Sequence, residues 1–236
     1  HAVFEILSNS VDEAREGYGN VITVTRFLDK SIEIEDNGRG CPVDWNPVEK
    51  RYNWELIYCE LYAGGKYKNN EGSNYEYSLG LNGLGSCATQ YASEYMDVTS
   101  CYDGLKYTIH FKKGVNVTKA EGKLLKEPYS GRKTGTVHRW KPDLEVFTDI
   151  DIPLEYYTDT LKKQAVVNAG IKFILKDQQE NGKFVTTEFL YENGIADYVT
   201  ELAGEDAITP VRFAKTERRG RDRADKPEYK VKLSAA

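Results

Sequence analysis

An alternating run of polar and apolar residues, 31–35, leads directly into the turn sequence Asp-Asn-Gly-Arg-Gly at residues 36–40. Alternation with a period of two predicts a strand that is buried on one face only. The strand would end at Asp36, and the glycines Gly38 and Gly40 would let the backbone bend sharply. The fold of this chain is therefore expected to place a carboxylate at the end of a half-buried strand.

Two interpretations of Asp36 stand side by side. An ionised carboxylate only accepts hydrogen bonds, so at a rigid strand end it suits a ligand with an N–H donor, such as the amino group of adenine. The alternative is an ordinary Asp-Asn-Gly turn, in which the side chain bonds to its own backbone. The five residues of the turn are compatible with both interpretations, and other parts of the chain must decide between them.

A helix is predicted for residues 2–17, where apolar residues recur at helical spacing and glycines follow. One polar face of this helix carries Glu5, Asn9, Asp12 and Glu13 at intervals of three and four. A carboxylate and an amide oxygen one turn apart can hold a water and a hard cation such as Mg²⁺. The alternative is a solvated surface face without further function.

A glycine-rich segment, residues 80–85, precedes the small and apolar residues 86–92. This pattern predicts a loop that opens a helix, where free backbone N–H groups and the helix dipole favour phosphate binding. The spacing G-x-x-G-x-G is neither the dinucleotide fingerprint nor a Walker A loop, and a plain turn is the alternative. Upstream, Lys66 is a cation beside two further glycines.

The rest of the chain predicts an α+β protein. Residues 94–139 form a β meander, with a hairpin at Asp103-Gly104 and a bend at Thr134-Gly135-Thr136, for which a simple bend within a sheet is the alternative. The next predicted elements are, in order, a helix at 153–169, a strand at 171–175, a strand at 184–189 and a helix at 195–202.

The C-terminal part predicts a domain boundary. The charged run 215–228 is expected to be a disordered linker or loop, and residues 229–236 begin with an alternating strand. We therefore predict one domain over residues 1–214, the linker, and the first strand of a truncated following domain. Because the helical pattern already includes residue 2, we also expect a segment ahead of His1.

Composition narrows the class of protein. With 40% hydrophobic and 29% charged residues, the chain is typical of a soluble globular protein, which we expect to be cytoplasmic. The net charge of −5 makes it a poor candidate for binding DNA by itself. The chain has no apolar run of the ~20 residues that span a membrane. Its four cysteines are far apart, which favours reduced thiols over disulfides or a zinc site.

Four sequence motifs, in this order, resemble those of the GHKL ATPases, a superfamily named for gyrase, heat-shock chaperone, histidine kinase and MutL. They are residues 5–14, residues 36–42, the lid segments 63–66 and 80–85, and residues 134–136. The match is closest to the ATPase domains of bacterial type II topoisomerases, the gyrase B and topoisomerase IV B subunits. The resemblance implies the Bergerat fold, a mixed and mostly antiparallel sheet with helices on one face.

The resemblance also implies a role for particular residues. Glu5 would be the general base that activates the attacking water, and His1 would orient it. Asn9 would bind Mg²⁺. Asp36 would accept a hydrogen bond from the adenine amino group, assisted through a water by Thr136. ATP and Mg²⁺ are therefore the expected substrate and cofactor.

Further contacts with the nucleotide follow from the same resemblance. Glu13 would pair with Arg39, which would lie beside the adenine, and Lys66 would sit near the nucleotide. Backbone N–H groups of Gly80, Leu81, Asn82, Gly83, Leu84, Gly85 and Ser86 would wrap the phosphates. Gly40 and Pro42 are also expected to contact the nucleotide.

The chain departs from the family pattern at several positions. Ser8 stands where the family usually has aspartate, Leu79 where it has the first glycine of the lid motif, and Asn82 where it has histidine. The opening of the lid is therefore expected to differ. The family's lysine from the following domain and its N-terminal clasping arm lie outside the chain, so we expect the isolated chain to be a monomer.

Inhibitors of the family imply one further expectation. Aminocoumarins and compact adenine-site inhibitors both use the acceptor at Asp36 and the water bound at Thr136. Aminocoumarins also reach an arginine on the strand before a turn, and here Tyr102 takes that place. Because tyrosine lacks arginine's charge and its planar fork of donors, we expect weak aminocoumarin binding beside normal binding of compact inhibitors.

In the intact enzyme, the resemblance implies that ATP binding closes a dimer of this domain while the A subunit and DNA take part in strand passage. The leading interpretation is the gyrase B subunit, and the topoisomerase IV B subunit is the alternative. A histidine-kinase catalytic domain is more remote, because Glu5 would activate the water that a kinase must exclude. A nucleotide-binding switch without turnover is the alternative from another class.

Overall fold

The computed structural model describes residues 1–63, 83–221, 223 and 228–236. The helices are α1 (Ala2–Arg15), α2 (Asn53–Cys59), α3 (Gly85–Tyr91), α4 (Leu154–Val167) and α5 (Ile195–Ala203), with short 3₁₀ turns at Glu121–Lys123 and Gly204–Asp206. The strands are β1 (Val21–Arg26), β2 (Ile32–Asp36), β3 (Trp45–Asn46), β4 (Arg51–Tyr52), β5 (Ser93–Tyr102), β6 (Leu105–Lys112), β7 (Val115–Asn116), β8 (Leu125–Pro128), β9 (Gly135–Pro142), β10 (Lys172–Gln178), β11 (Phe184–Phe189), β12 (Ala214–Gly220) and β13 (Tyr229–Ala235).

Nine strands form the main sheet, in the order β11-β10-β1-β2-β9-β5-β6-β7, with β8 also paired to β6. Strands β1 and β10 run parallel, and the other neighbours in this sheet are antiparallel. The predicted α+β architecture with a mixed, mostly antiparallel sheet is therefore confirmed. Strand β2 lies between β1 and β9, so the motif that follows β2 opens near the middle of the sheet.

One face of this sheet forms the core. Val24, Ile34, His138, Val98 and Ile109 are successive partners across β1, β2, β9, β5 and β6, and all five are buried. Because side chains alternate along a strand, these residues point to the same face. Helices α1, α3 and α4 contact the sheet, and apolar side chains from helices and strands join in one buried cluster.

Helix α1 forms because its apolar residues share one face. Ile6, Leu7 and Val11 are almost fully buried against the sheet, and each contributes roughly 1.5–3 kcal/mol by leaving water. The helix ends at Arg15, and Gly17 then adopts a φ of 89°, a conformation that favours glycine. This burial leaves the opposite, polar face of α1 available for the site.

The C-terminal ribbon corrects one prediction. Residues 215–220, for which the charge pattern predicts the start of a disordered linker, belong to β12, and β12 pairs antiparallel with β13. Strand pairing provides hydrogen-bond partners for the backbone N–H and C=O groups whatever charge the side chains carry. Most side chains of β12 are exposed to solvent, so their charges cost little free energy. The division of the chain near residue 214 stays a prediction. Among the described helices, none is both long and apolar enough to cross a bilayer.

Candidate functional site

The carboxylate of Asp36 joins three separate elements. Its Oδ1 accepts hydrogen bonds from the backbone N–H of Gly38 (3.0 Å) and of Thr136 (3.2 Å). Its Oδ2 accepts a hydrogen bond from the hydroxyl of Ser10 on α1 (2.8 Å). The bond to Gly38 is that of an ordinary turn, but the other two reach β9 and α1. Asp36 therefore does more than stabilise its own turn.

The environment of Asp36 leaves part of its hydrogen-bonding capacity available. Burial raises the pKa of Asp36, the hydrogen bonds from Gly38, Ser10 and Thr136 oppose that effect, and the charge of Glu13 adds to it. A carboxylate offers about four lone-pair positions, and Oδ2 receives one of the three described bonds. A ligand with an N–H donor can use the remaining position.

Two glycines allow the backbone to close around Asp36. At Gly135, which has a φ of 140°, a Cβ atom would lie 2.1 Å from the carbonyl oxygen of Asp36. At Gly40, which has a φ of 92°, a Cβ atom would lie 2.6 Å from the carbonyl oxygen of Cys101. Both contacts are with backbone, which cannot rotate away. The sheet therefore reaches the strand end only because these residues lack side chains.

The segment 134–136 holds the turn after Asp36 in place. The Thr136 Oγ1 accepts a hydrogen bond from the backbone N–H of Cys41 (2.9 Å). The hydroxyl of Thr134 donates to the carbonyl of Gly38, and that of Ser100 donates to the carbonyl of Cys41 (2.9 Å). This segment is more than a bend within a sheet, because its two threonine hydroxyls fix the turn from both sides.

Glu13 and Arg39 form the ion pair that the family resemblance implies. The Oε1 of Glu13 accepts from the backbone N–H (2.9 Å) and from Nε (2.8 Å) of Arg39, and its Oε2 accepts from Nη2 (2.9 Å). The hydrogen bond to Glu13 raises the pKa of Arg39 above its usual range. The guanidinium carbon also lies 3.6 Å from the ring centre of Tyr18. Arg39 is thus fixed on the turn and keeps its charge.

The other end of α1 meets the start of α3. Asn9 Nδ2 donates to the hydroxyl of Ser86 (3.0 Å), which leaves the amide oxygen as the Asn9 atom suited to a cation. Glu5 is exposed and lies so close to Gly85 that a Cβ atom there would be 2.4 Å from Glu5 Oε2. The first and second residues of α3 therefore pack directly on the polar face of α1.

The remaining predicted site residues are placed as follows. His1 precedes α1 and its carbonyl accepts a hydrogen bond from the backbone N–H of Glu5 (3.0 Å), but its side chain makes no capping bond. Pro42 is exposed on the turn beside Cys41. Gly83 and Leu84 lead into α3, with a φ of 61° at Gly83. The predictions for Lys66, Leu79, Gly80, Leu81 and Asn82 fall outside the described residues.

Sequence reasoning missed a buried polar cluster below the turn. The hydroxyl of Tyr58 on α2 lies 2.7 Å from Nε2 of His138 and 3.9 Å from the sulfur of Cys41. Burial lowers the pKa of His138 to about 4 and raises the pKa of Cys41 to about 12, so both are neutral at pH 7.

Ser10 is another residue of the site that sequence reasoning missed. A hydroxyl within the apolar stripe of α1 is the sequence signal that would have found it.

The outer rim of the turn is aromatic. Tyr102 stacks on Tyr107 with ring centres 4.5 Å apart, and its hydroxyl accepts from the backbone N–H of Asp44 (3.3 Å). Tyr107 and Lys126 both donate to the carboxylate of Asp44, at 3.2 Å and 2.6 Å. The cation that joins this cluster is therefore Lys126 on β8. Tyr102 itself is held in place by its stacking and by the hydrogen bond from Asp44.

The arrangement suits an elongated ligand that carries a base at one end and phosphates at the other. Asp36 offers a partly buried acceptor, and Glu5 and Asn9, further along α1, lie against the start of α3. Among the described residues, no group of three or more histidine, cysteine, aspartate or glutamate side chains could hold a metal by itself. Mg²⁺ commonly uses one or two protein oxygens together with waters and phosphates, so the oxygen of Asn9 fits that chemistry.

No family model matches the chain, but individual proteins do. The B subunit of DNA gyrase from Thermotoga maritima is 34% identical over 235 residues, which are 99% of this chain and 35% of that protein. The gyrase B subunit of Staphylococcus aureus is 38% identical over 210 residues, 87% of this chain and 31% of its own. The B subunit of DNA topoisomerase 4 from Haemophilus influenzae is 35% identical over 201 residues, which are 85% of this chain and 30% of that protein.

A solved structure is similar over nearly the whole chain. The 43K ATPase domain of Thermus thermophilus gyrase B, in complex with an aminocoumarin, aligns with a TM-score of 0.73 and 30% identity over 94% of this chain and 53% of that one. The chain thus spans about a third of the length of its curated relatives. With these relatives, this fold and the motifs gathered around Asp36, the chain belongs to the family of the ATPase domains of gyrase B and topoisomerase IV B subunits, the type II topoisomerases.

Proposed function

We propose that this chain binds and hydrolyses ATP as the ATPase domain of a type II DNA topoisomerase, in the first instance of the gyrase B subunit. The observation that carries the proposal is the carboxylate of Asp36, held by donors from Ser10, Gly38 and Thr136 with a lone-pair position to spare on Oδ2. A partly buried acceptor fixed in this way is selective for a base with an exocyclic amino group, because an N–H donor satisfies it and a carbonyl does not.

The adenine would lie against the turn that follows β2. Thr136 bonds to the turn through Oγ1 as an acceptor, so its hydroxyl proton is directed elsewhere and can reach a water or the base. Arg39 keeps a fixed planar guanidinium beside the same turn, which suits stacking on a base. At the other end, Gly85 and Ser86 at the start of α3 would face the phosphates.

Hydrolysis would take place at the exposed end of α1. Glu5 would accept a proton from the attacking water, and His1 would assist in orienting it. Asn9 would hold Mg²⁺ through its amide oxygen, and the ion would neutralise charge on the phosphates. Because Asn9 also donates to Ser86, the metal-binding oxygen would be oriented by α3.

In the whole enzyme, ATP binding would close a dimer of this domain, while the A subunit and DNA take part in strand passage in the cytoplasm. The net charge of −5 makes this part a poor candidate for holding DNA by itself, so DNA would be held mainly by other parts of the enzyme. Compact adenine-site inhibitors would occupy the pocket at Asp36.

Calorimetric titration of the chain with ATP and Mg²⁺ tests the proposal. Asp36→Asn replaces a pure acceptor by an amide and should weaken binding by ~1.5–3 kcal/mol, as for a hydrogen bond to a charged group. Asp103→Asn, on an exposed hairpin turn, is the matched control and should leave the affinity unchanged. Normal ATP affinity in a folded Asp36→Asn protein would overturn the assignment.

Two activity assays separate the alternatives. Steady-state ATP turnover by the chain supports an ATPase, and tight ATP binding with no turnover in the intact protein supports a switch module.

The second assay concerns the type of topoisomerase, because gyrase B and topoisomerase IV B relatives match this chain at similar identity. ATP-dependent supercoiling by the full-length protein with its A subunit identifies gyrase, and strand passage without supercoiling identifies topoisomerase IV.

A further inference from the structure

We propose that Ser10 is a positioning residue of the base site, which orients the oxygen of Asp36 that receives the amino group. This inference rests on the proposed role of Asp36 in ATP binding. Ser10 is 3% exposed, and its hydroxyl donates to Asp36 Oδ2 over 2.8 Å. A partly buried side-chain bond between a helix and a strand end is well placed to fix a rotamer.

The two oxygens of Asp36 are not equivalent. Oδ1 accepts from two backbone N–H groups, those of Gly38 and Thr136, which occupy its lone pairs. Oδ2 accepts only the Ser10 hydroxyl among these bonds, so it is the oxygen with room for a ligand donor. Ser10 and the base would therefore bind to the same atom, and the serine hydroxyl sets the direction of the remaining lone pair.

The position of Ser10 also connects the two ends of the site. It follows Asn9 directly on α1, and Asn9 bonds to Ser86 at the start of α3. Adjacent residues of one helix thus reach the base acceptor and the expected phosphate end. A shift of α1 would be transmitted to both contacts, because a helix moves as a rigid unit over one turn.

Several groups face the Asp36 carboxylate and act on its charge. Burial raises its pKa most, the bonds from Gly38, Ser10 and Thr136 lower it, and the charge of Glu13 raises it. Arg39 is paired with Glu13, and both Cys41 and His138 are neutral at pH 7. Removing the Ser10 hydroxyl removes one stabilising contribution to the ionised form, so the pKa of Asp36 should rise further.

The sign of the pH effect follows directly. The ionised form of Asp36 is the better acceptor, so affinity for ATP should fall as the pH drops through the pKa of this carboxylate. In Ser10→Ala that fall should begin at a higher pH than in the wild type. The other titrating groups are the same in both proteins, so the difference between the two pH profiles reports on Asp36.

The test is the affinity of the chain for a non-hydrolysable ATP analogue with Mg²⁺, measured from pH 5 to pH 8. At pH 7.5, Ser10→Ala should bind about tenfold more weakly, the size expected for one hydrogen bond, and its acid limb should move to higher pH. Ser10→Thr keeps the hydroxyl and should retain the wild-type pH profile.

Ser8→Ala is a matched control. Ser8 is also 3% exposed and lies on α1, but its hydroxyl donates to the backbone carbonyl of Phe4 within the helix (2.7 Å). Its loss should change neither the affinity nor the pH profile. If Ser10→Ala does not fold, Ser10→Cys, whose thiol is a weak donor, should show the same direction of shift.

The outcomes separate this inference from the proposed function. Unchanged binding by Asp36→Asn would overturn the role of Asp36 in ATP binding and this inference with it. Weak binding by Asp36→Asn, together with a Ser10→Ala protein that behaves like Ser8→Ala, would overturn the role of Ser10 alone. A shifted acid limb in Ser10→Ala and a normal one in Ser10→Thr would support it.

Discussion

The two ends of the site differ in how completely the protein's own hydrogen bonds fix them. At the base end, the partly buried Asp36 accepts hydrogen bonds from α1, β9 and its own turn, and Gly135 brings two backbones into contact. At the phosphate end, Glu5 and Asn9 are exposed, and the single described bond across the helices runs from Asn9 to Ser86. Base recognition is thus preorganised, whereas the reacting end depends on the ligand.

The difference has a physical reason. Recognition of a base needs an acceptor whose position is fixed before binding, because ordering it afterwards would cost free energy. The reacting end must admit phosphates, a cation and a water, so its groups have to stay accessible. Substitutions at the base end should therefore change folding and binding together, and those at the phosphate end should change catalysis and metal-dependent binding with little effect on folding.

The sharpest test of this comparison is Glu5→Ala. Loss of a general base should lower kcat by ~10²–10⁴-fold, while ATP affinity and the free energy of unfolding stay close to those of the wild type. Steady-state ATPase assays of the full-length enzyme, with calorimetry and urea unfolding of the chain, measure the three quantities. Glu5→Gln should show the same loss, and hydrolysis at the wild-type rate by either variant would place the base elsewhere.

A pair of glycine substitutions compares the two ends directly. Gly135→Ala would press a Cβ atom onto the backbone of Asp36 at a φ that L residues avoid, and should cost about 3 kcal/mol of stability and abolish ATP binding. Gly85→Ala would meet the side chain of Glu5, whose carboxylate can rotate away but whose Cβ atom, 2.9 Å from the new Cβ, can move only with α1. That variant should lose less stability than Gly135→Ala but lose roughly 10²-fold in kcat. Equal stability of the two variants would contradict the comparison.

The buried cluster below the base end should make folding sensitive to acid. Burial lowers the pKa of His138 from 6.5 to about 4. Between pH 4 and pH 6.5 this histidine is therefore protonated in the unfolded state and neutral in the folded state. The stabilising contribution is therefore complete above pH 6.5 and is lost as the pH falls towards 4, by roughly 3 kcal/mol.

Urea unfolding of wild type and His138→Phe across pH 4–7 measures this effect. The pH dependence of the free energy of unfolding should flatten in His138→Phe between pH 4 and 6.5. His110→Gln, which removes an exposed histidine from β6, is the control and should keep most of the wild-type slope. A wild-type slope in His138→Phe would show that another group carries the acid sensitivity.

The outer rim gives the smallest expected effect. Tyr102→Arg introduces a fork of donors beside Asp44 and should strengthen aminocoumarin binding about tenfold, while a compact adenine-site inhibitor binds as before. Tyr95→Arg, at the other end of β5, controls for the added charge. Equal aminocoumarin affinity in wild type and Tyr102→Arg would show that this strand was aligned wrongly or that the rim is not used.

Much of the fold could be predicted from the sequence because its patterns are local. The period-two run before Asp36 and the apolar stripe of α1 both reflect side chains that must face one core. The strand at residues 215–220 is not predicted because the composition of this segment is that of a solvated linker, and only pairing with β13 makes it a strand. Strand pairing depends on a partner that the segment itself does not reveal.

The sequence by itself determined the order of the main helices and strands, the Asp36 motif and its family resemblance, since each is encoded in neighbouring residues. Only the tertiary structure decided that Ser10 binds Asp36 Oδ2, that His138 meets Tyr58, and that Gly85 lies against Glu5. These contacts join residues far apart in the chain. Their geometry follows from how α1, α2 and α3 pack on the sheet, which no local pattern contains.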